Sequence, residues 1–471
     1  MDPRTTRLLE GPIGATLLRL AIPNTIVMVV QASIGLIETY FISKLGTDAL
    51  AGMAVVFPIV MLIQMISAGA MGGGIMSAVS RTLGAGKRDD ANVLVWHAAA
   101  IAVALGLITT ILALTIGRPL YALMGGQNGS LAAALAYSNL VFLFAIPLWL
   151  FNSLAAVIRG TGNILFPASV TAIGAVFLIP LSPMLIFGWG DLPQLGIVGG
   201  AAAIAAYYVI GSIIFAAYLW SGRGVLKPSV KPARIAWAPT REILRVGFIS
   251  SLVSVTTNIA IATATGLTGI YGPAAVAGYG VGARLEYLLV PLVFGLGAPI
   301  GAMVGTAIGA QQRKRALRVA WTGAVLAGLL SEAVGLAAAF FPHAWIALFS
   351  DDPLTEAIGT HYLHIVGPFY GFFGFGLALY FASQGAGSLR WPLIAAGIRV
   401  TVAAIGGWAA IHFFGNRFLG GIDNVFAMLA LALVISGVMN AVAVAMGVWF
   451  TGAKRAPAIT GLTQPAGTRP C

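Results

Sequence analysis

The chain has 471 residues, of which 59% are hydrophobic and only 8% charged, with 60 glycines. A soluble domain carries about 25% charged residues, so this composition excludes a water-soluble globular protein and puts the chain in a membrane. The formal net charge of +12 does not point to nucleic acid, because the basic residues sit in short connectors where membrane topology and anionic lipid headgroups account for them.

Apolar runs of about 18 residues or more recur along the whole chain, far beyond a single anchor. The period-two alternation of a membrane β-barrel is missing, so the spans read as helices. Twelve are expected, over 15–42, 52–79, 92–116, 132–157, 165–188, 197–220, 241–270, 276–304, 316–341, 358–384, 391–414 and 425–450. The first runs straight into the next, so it does not read as a removable signal. Cys471 is the single cysteine and no Cys/His spacing suits a metal, so neither a disulfide nor a metal site is expected. Placing the N-terminus inside puts nineteen basic residues on inner segments and leaves Lys44, Arg118 and Arg417 outside. That asymmetry predicts cytoplasmic termini in a multi-pass plasma membrane protein.

The longest basic connector, 221–240, holds Pro228, Pro232 and Pro239 and reads as a linker between lobes 1–220 and 241–451. The tail 452–471 is rich in Pro, Gly and Thr and reads as disordered. The lobes repeat each other. Residues 45–52 (LGTDALAG) align with 271–278 (YGPAAVAG), 80–91 with 305–316, and 158–167 with 383–392, at offsets of 226, 225 and 225. Six spans per repeat insert both copies the same way up, about an axis along the membrane normal. The predicted fold is therefore all-α, two six-helix bundles flanking a central cleft, an arrangement suited to alternating access.

Polar residues inside such spans are costly and mark sites. Asn24, Gln31 and Glu38 recur every seven residues and so share one face of the first span. Glu38 is the leading candidate, with simple access to outer water as its bland alternative. Glu286 lies near the middle of the eighth span, where the bland alternative is a structural pair with Arg399. Glu332, mid-span in the ninth, is supported by no motif and reads as structural. The seventh span repeats the first but has Ala264 in place of Glu38, so the lobes are expected to differ chemically. It carries Ser250, Ser254, Thr257 and Asn258 on one arc with Thr265 and Thr268, either a cavity wall or ordinary helix–helix contact. Asn152 in the fourth span is a weaker cavity candidate. Aromatics such as Phe369, Tyr370 and Tyr380 can stack on a planar or cationic ligand, but such residues more often serve packing or face lipid. No catalytic constellation surrounds the five histidines, so an enzyme is not expected.

Several stretches together resemble the multidrug and toxic compound extrusion (MATE) family, across essentially the whole chain. They are Glu10-Gly11-Pro12-Ile13 with Leu17 to Pro23, Leu45-Gly46-Thr47-Asp48, Leu83-Gly84-Ala85-Gly86, Arg159-Gly160-Thr161-Gly162 and Ala283-Arg284-Leu285-Glu286. The resemblance implies an antiporter of the MOP flippase superfamily that exports amphipathic or cationic organic compounds in exchange for protons. It sets Glu38 where the family has a first-helix aspartate, and Glu286 in the second-lobe cavity. The family's Asn-x-x-x-Asp pair in helix five is replaced here by Leu178 and Ser182. Glu38 with Ser182 makes a thin set for sodium, so a proton site is expected, with Na⁺ coupling and lipid-linked saccharide flipping as alternatives. No cofactor is expected beyond the coupling ion. The partners expected are a small organic substrate and membrane lipids, the protein acting as a monomer.

Overall fold

The computed structural model describes residues 2–189, 193–414 and 421–451, without the side chains of 31–36, 287–288, 414 and 451. The tail 452–471 lies outside the described residues. Apart from turns and connectors, the described residues are helical, with no strand. Eleven helices are long and apolar enough to cross a membrane, and the pair Asn128–Leu143 and Ala145–Gly160, bent by 51°, makes a twelfth span. In chain order, spans one to three are Ile13–Ser43, Thr47–Gly84 and Arg88–Leu123, and the bent pair is span four. Spans five to eight are Leu165–Phe187, Ile197–Trp220, Trp237–Gly269 and Pro273–Gly309. Spans nine to twelve are Arg313–Phe340, Pro353–Ala386, Arg390–Phe413 and Ile422–Ala445. The first six and the last six form two six-helix bundles of one design.

The repeat is written into the backbone as well as the sequence. Turns with positive φ recur at Gly46 and Gly272 (110° and 100°), Gly162 and Gly387 (81° and 72°), and Gly196 and Gly421 (59° and 48°). Gly86, at φ 76°, is matched by Gln311 at φ 60°. A non-glycine residue in this region costs roughly 1–2 kcal/mol, so the turn geometry is held by the repeat and not by local preference. Packing repeats too. A Cβ on Gly52 would stand 2.8 Å from the nitrogen of Ala134, and one on Gly278 would stand 2.9 Å from the nitrogen of Gly359. Gly359 is the repeat counterpart of Ala134. Spans two and four, like spans eight and ten, therefore touch backbone to backbone. The bend of span four falls at Phe144 and the 3₁₀ break of span ten at Gly367–Phe369, again in register.

The chain divides into two compact units: residues 2–8 and 26–247, and residues 9–25 and 248–451. Each has its own core, around Met53, Val56, Tyr137 and Phe142 in one and around Leu289, Tyr362, Val366 and Phe426 in the other. Segment 221–240, anticipated as a linker, packs within the first unit. Trp96 and Trp220 both donate their indole N–H to the Ser229 carbonyl, at 3.0 and 3.3 Å. Asn92 Oδ1 accepts from the Lys227 amide at 2.8 Å, and His97 Nε2 accepts from the Ala236 amide at 3.0 Å. Several backbone groups of this proline-rich, basic segment are thus bonded to span three.

Candidate functional site

Glu38 lies in the last third of span one and is 5% exposed. Its Oε1 accepts a hydrogen bond of 2.9 Å from the hydroxyl of Tyr137 in span four, itself 1% exposed. Span six brings Gly200 so close that a Cβ there would stand 3.1 Å from Glu38 Oε1, with Ile186 and Ile42 beside it. Here glycine makes room for the carboxylate. Among the described residues no Lys, Arg or His pairs with Glu38. A buried carboxyl with one hydroxyl donor and no cation is chemically a group that can take up and release a proton.

A second polar cluster lies in the same bundle, where span two makes a π-helical turn over Met65–Met71. Asn152 donates to Ser67 Oγ at 2.8 Å and to Gln64 Oε1 at 3.3 Å, and the Tyr208 hydroxyl donates to the same Gln64 oxygen at 3.2 Å. Rings of Phe151, Tyr207 and Tyr208 pack around it, with centroids 5.1 to 5.5 Å apart. The π-turn offsets the helical register, so the faces of span two before and after it do not follow one 3.6-residue period.

In the second bundle the Tyr362 hydroxyl donates to Glu286 Oε1 at 3.0 Å and receives the Tyr370 hydroxyl at 3.3 Å. Arg399 Nη2 is 3.7 Å from Glu286 Oε2. Thus the structural partner weighed for Glu286 is present. Tyr362 is the repeat counterpart of Tyr137, so each bundle offers a buried carboxylate to the same repeat tyrosine. The carboxylates come from non-equivalent helices, span one in the first bundle and span eight in the second. Neither tyrosine was picked out from sequence, because one tyrosine in an apolar span has no periodic signature. The shared offset was the available signal.

Other candidates are placed differently. Asn24 donates to the Gly295 carbonyl of span eight at 3.1 Å and belongs to the 9–25 segment of the second unit, whereas Glu38 belongs to the first. The Gln31 side chain lies outside the described residues. Ser182 is 4% exposed, and its Oγ has no hydrogen-bond partner among the described residues. Along span seven, Ser254, Thr257 and Asn258 bond to their own helix at Ser250 O, Val253 O and Ser254 O. Only the fully buried Ser250 binds another span, accepting from Gln384 Nε2 at 2.9 Å. The hydroxyl arc is mostly helix self-bonding. Glu332 Oε2 accepts from the Gly371 amide at 2.6 Å and caps the second half of span ten. His361, left without an acid by sequence spacing, pairs with Asp423 of span twelve at 2.9 Å.

The MatE family pattern matches residues 23–184 and 249–409, two segments whose starts are separated by the offset of the internal repeat. The FAD transporter of Shewanella oneidensis is 27% identical over 379 residues, covering 80% of this chain and 82% of that one. A probable multidrug resistance protein NorM of Thermotoga maritima is 25% identical over 411 residues, covering 87% and 88%. A solved structure described as the outward-facing conformation of a multidrug resistance MATE family transporter superposes with a TM-score of 0.85 at 22% identity, over 95% of this chain and 98% of that one. Two matched halves, twelve spans and a repeated bundle agree: the chain belongs to the MatE family, whose relatives are transporters and not enzymes.

Proposed function

We propose that the chain is a secondary antiporter that exports amphipathic or cationic organic molecules in exchange for protons, by alternating access. The observation that carries this is Glu38, 5% exposed and held by the Tyr137 hydroxyl with no cation beside it among the described residues. A ligand moves a two-state protein only through different affinity for the two states. Proton binding at Glu38 supplies such a difference, because a neutral carboxyl tolerates the dry bundle and an anion does not. Proton uptake from outside then favours substrate release and return, and proton loss inside favours reloading. The basic inner connectors support cytoplasmic termini and a bacterial plasma membrane location, with the monomer as the working unit. Glu286 serves this cycle as a second, arginine-paired carboxylate. The test is efflux of a cationic dye in everted vesicles: Glu38→Gln should abolish proton-driven transport while leaving expression and melting temperature intact. Undiminished proton-driven transport in that variant refutes the reading.

A second reading is favoured by one observation, the 27% identity to a FAD transporter. In this reading the exported molecule is acidic and flavin-like, and the same vesicles separate the two readings by whether dye or FAD is moved.

A further inference from the structure

A cavity of about 30 Å³ opens in the second bundle beside Glu286, Arg399, Tyr362 and Tyr279. A buried water needs roughly 10–15 Å³ measured this way, so the space takes one small polar group. Spans seven and twelve close it with apolar side chains, among them Ile261 and Ala264, Leu429 and Ala432. The charged and titratable groups facing it are therefore Glu286 and Tyr279 of span eight, Tyr362 of span ten and Arg399 of span eleven.

The repeat explains why a cavity exists here. In the first bundle the counterparts of Arg399 and Ala432 are Gly174 and Tyr207. The Tyr207 ring packs so tightly on Gly174 that a Cβ would stand 2.6 Å from it. In the second bundle the large residue has become Ala432 and the glycine has become Arg399. Ala264, likewise a cavity wall, takes the position of Glu38 in the repeat. Three exchanges at one place replace a ring-filled site by a lined space with a guanidinium in it.

That guanidinium is under-used. Among the described residues its contacts are Glu286 Oε2 at 3.7 Å, beyond hydrogen-bond length, and the face of Phe373 at 5.7 Å. Its side chain is 18% exposed, and the rest is enclosed. A planar fork of donors in an apolar, enclosed space fits the two oxygens of a carboxylate. An anion cannot simply be added, because the site as it stands is neutral, one guanidinium against one carboxylate. Uncompensated charge in a dry span is costly. If Glu286 takes a proton as the anion arrives, the site stays neutral, the anion replaces Glu286 as the counter-ion of Arg399, and Tyr362 remains a donor.

We propose that this cavity is a binding site for the carboxylate of an organic acid, held on Arg399 and entered together with one proton that Glu286 takes up. The site rests on the second bundle alone and stands whether or not Glu38 carries the coupling proton. Acetate, small enough for a space of this size, is a suitable probe. Its binding to the purified full chain in lipid nanodiscs is measured by calorimetry at pH 5.5 and pH 8, in two buffers of different ionisation heat to count protons. Wild type should bind at least about tenfold more tightly at the lower pH, because affinity linked to one proton changes by up to tenfold per pH unit, with close to one proton taken up. Glu286→Gln should bind equally at both pH values without proton uptake. The neutral double variant Glu286→Gln with Arg399→Gln, which leaves no lone buried charge, should not bind. Glu38→Gln should behave as wild type. Binding retained by the double variant, no proton uptake by wild type, or a response to chloride but not acetate would each overturn the proposal.

Discussion

Removing the carboxylate of Glu332 separates a structural acid from a coupling acid. Span ten breaks at Gly367–Phe369 and restarts at Tyr370, so the Gly371 amide has no partner within its own helix. Glu332 Oε2 supplies that partner from span nine at 2.6 Å. A hydrogen bond to a charged group is worth roughly 1.5–3 kcal/mol, and a negative charge at a helix start adds about 0.3–1 kcal/mol. Glu332→Ala should therefore lower stability by about 2–4 kcal/mol. Glu332→Gln, which keeps an acceptor oxygen, should lose less than half of that. The assay is chemical or thermal unfolding of the purified protein in one detergent, followed by transport at a temperature where both variants stay folded. The structural account expects both to transport with wild-type coupling there. It fails if Glu332→Gln is fully stable yet uncoupled, because the acid would then matter for its proton and not for its acceptor.

Two further outcomes follow from the geometry. Tyr137→Phe removes the donor to Glu38, a bond of about 1.5 kcal/mol or more, and should displace the proton concentration for half-maximal efflux by about tenfold. Tyr208→Phe, which touches Gln64 and not Glu38, should leave that midpoint unchanged, and identical pH profiles in wild type and Tyr137→Phe would contradict the Tyr137–Glu38 bond as the relevant one. Replacing Trp96 with Phe, together with Asn92→Ala, removes two of the bonds that fix 221–240 to span three. Limited trypsin digestion should then cut at Arg223 or Arg234 severalfold faster, and an unchanged rate would mean that this segment is held by something other than those bonds.

The spans were legible because a membrane demands long uninterrupted apolar runs whatever the neighbours are. Most of them start a few residues before the hydropathic edges, as at Trp237 against 241 and Arg313 against 316. The repeat was legible through its turns, where Gly46 and Gly272 or Gly162 and Gly387 hold conformations that side chains resist. Glu38 stood out because an acid in a span is rare and expensive. What surrounds it did not, since Tyr137 lies 99 residues away and is brought in by packing alone. The inequality read from Ala264 was half of the picture. The second bundle does present a carboxylate to its repeat tyrosine, but from span eight, and pairs it with Arg399, a residue distant in the chain. Of the stripe Asn24, Gln31 and Glu38, Asn24 belongs to one unit and Glu38 to the other, because one helix contributes to both. On the arc of span seven, Ser254 and Thr257 bond to carbonyls of the preceding turn, as helical Ser and Thr commonly do.

The central claim is that Glu38 exchanges the coupling proton. Purified protein in liposomes, given either a proton gradient or a sodium gradient of equal size and no membrane potential, tests it most directly. The account predicts substrate movement driven by the proton gradient alone, one that Glu38→Gln loses and Glu38→Asp retains. Transport driven by sodium alone, or proton-driven transport undiminished in Glu38→Gln, would contradict it.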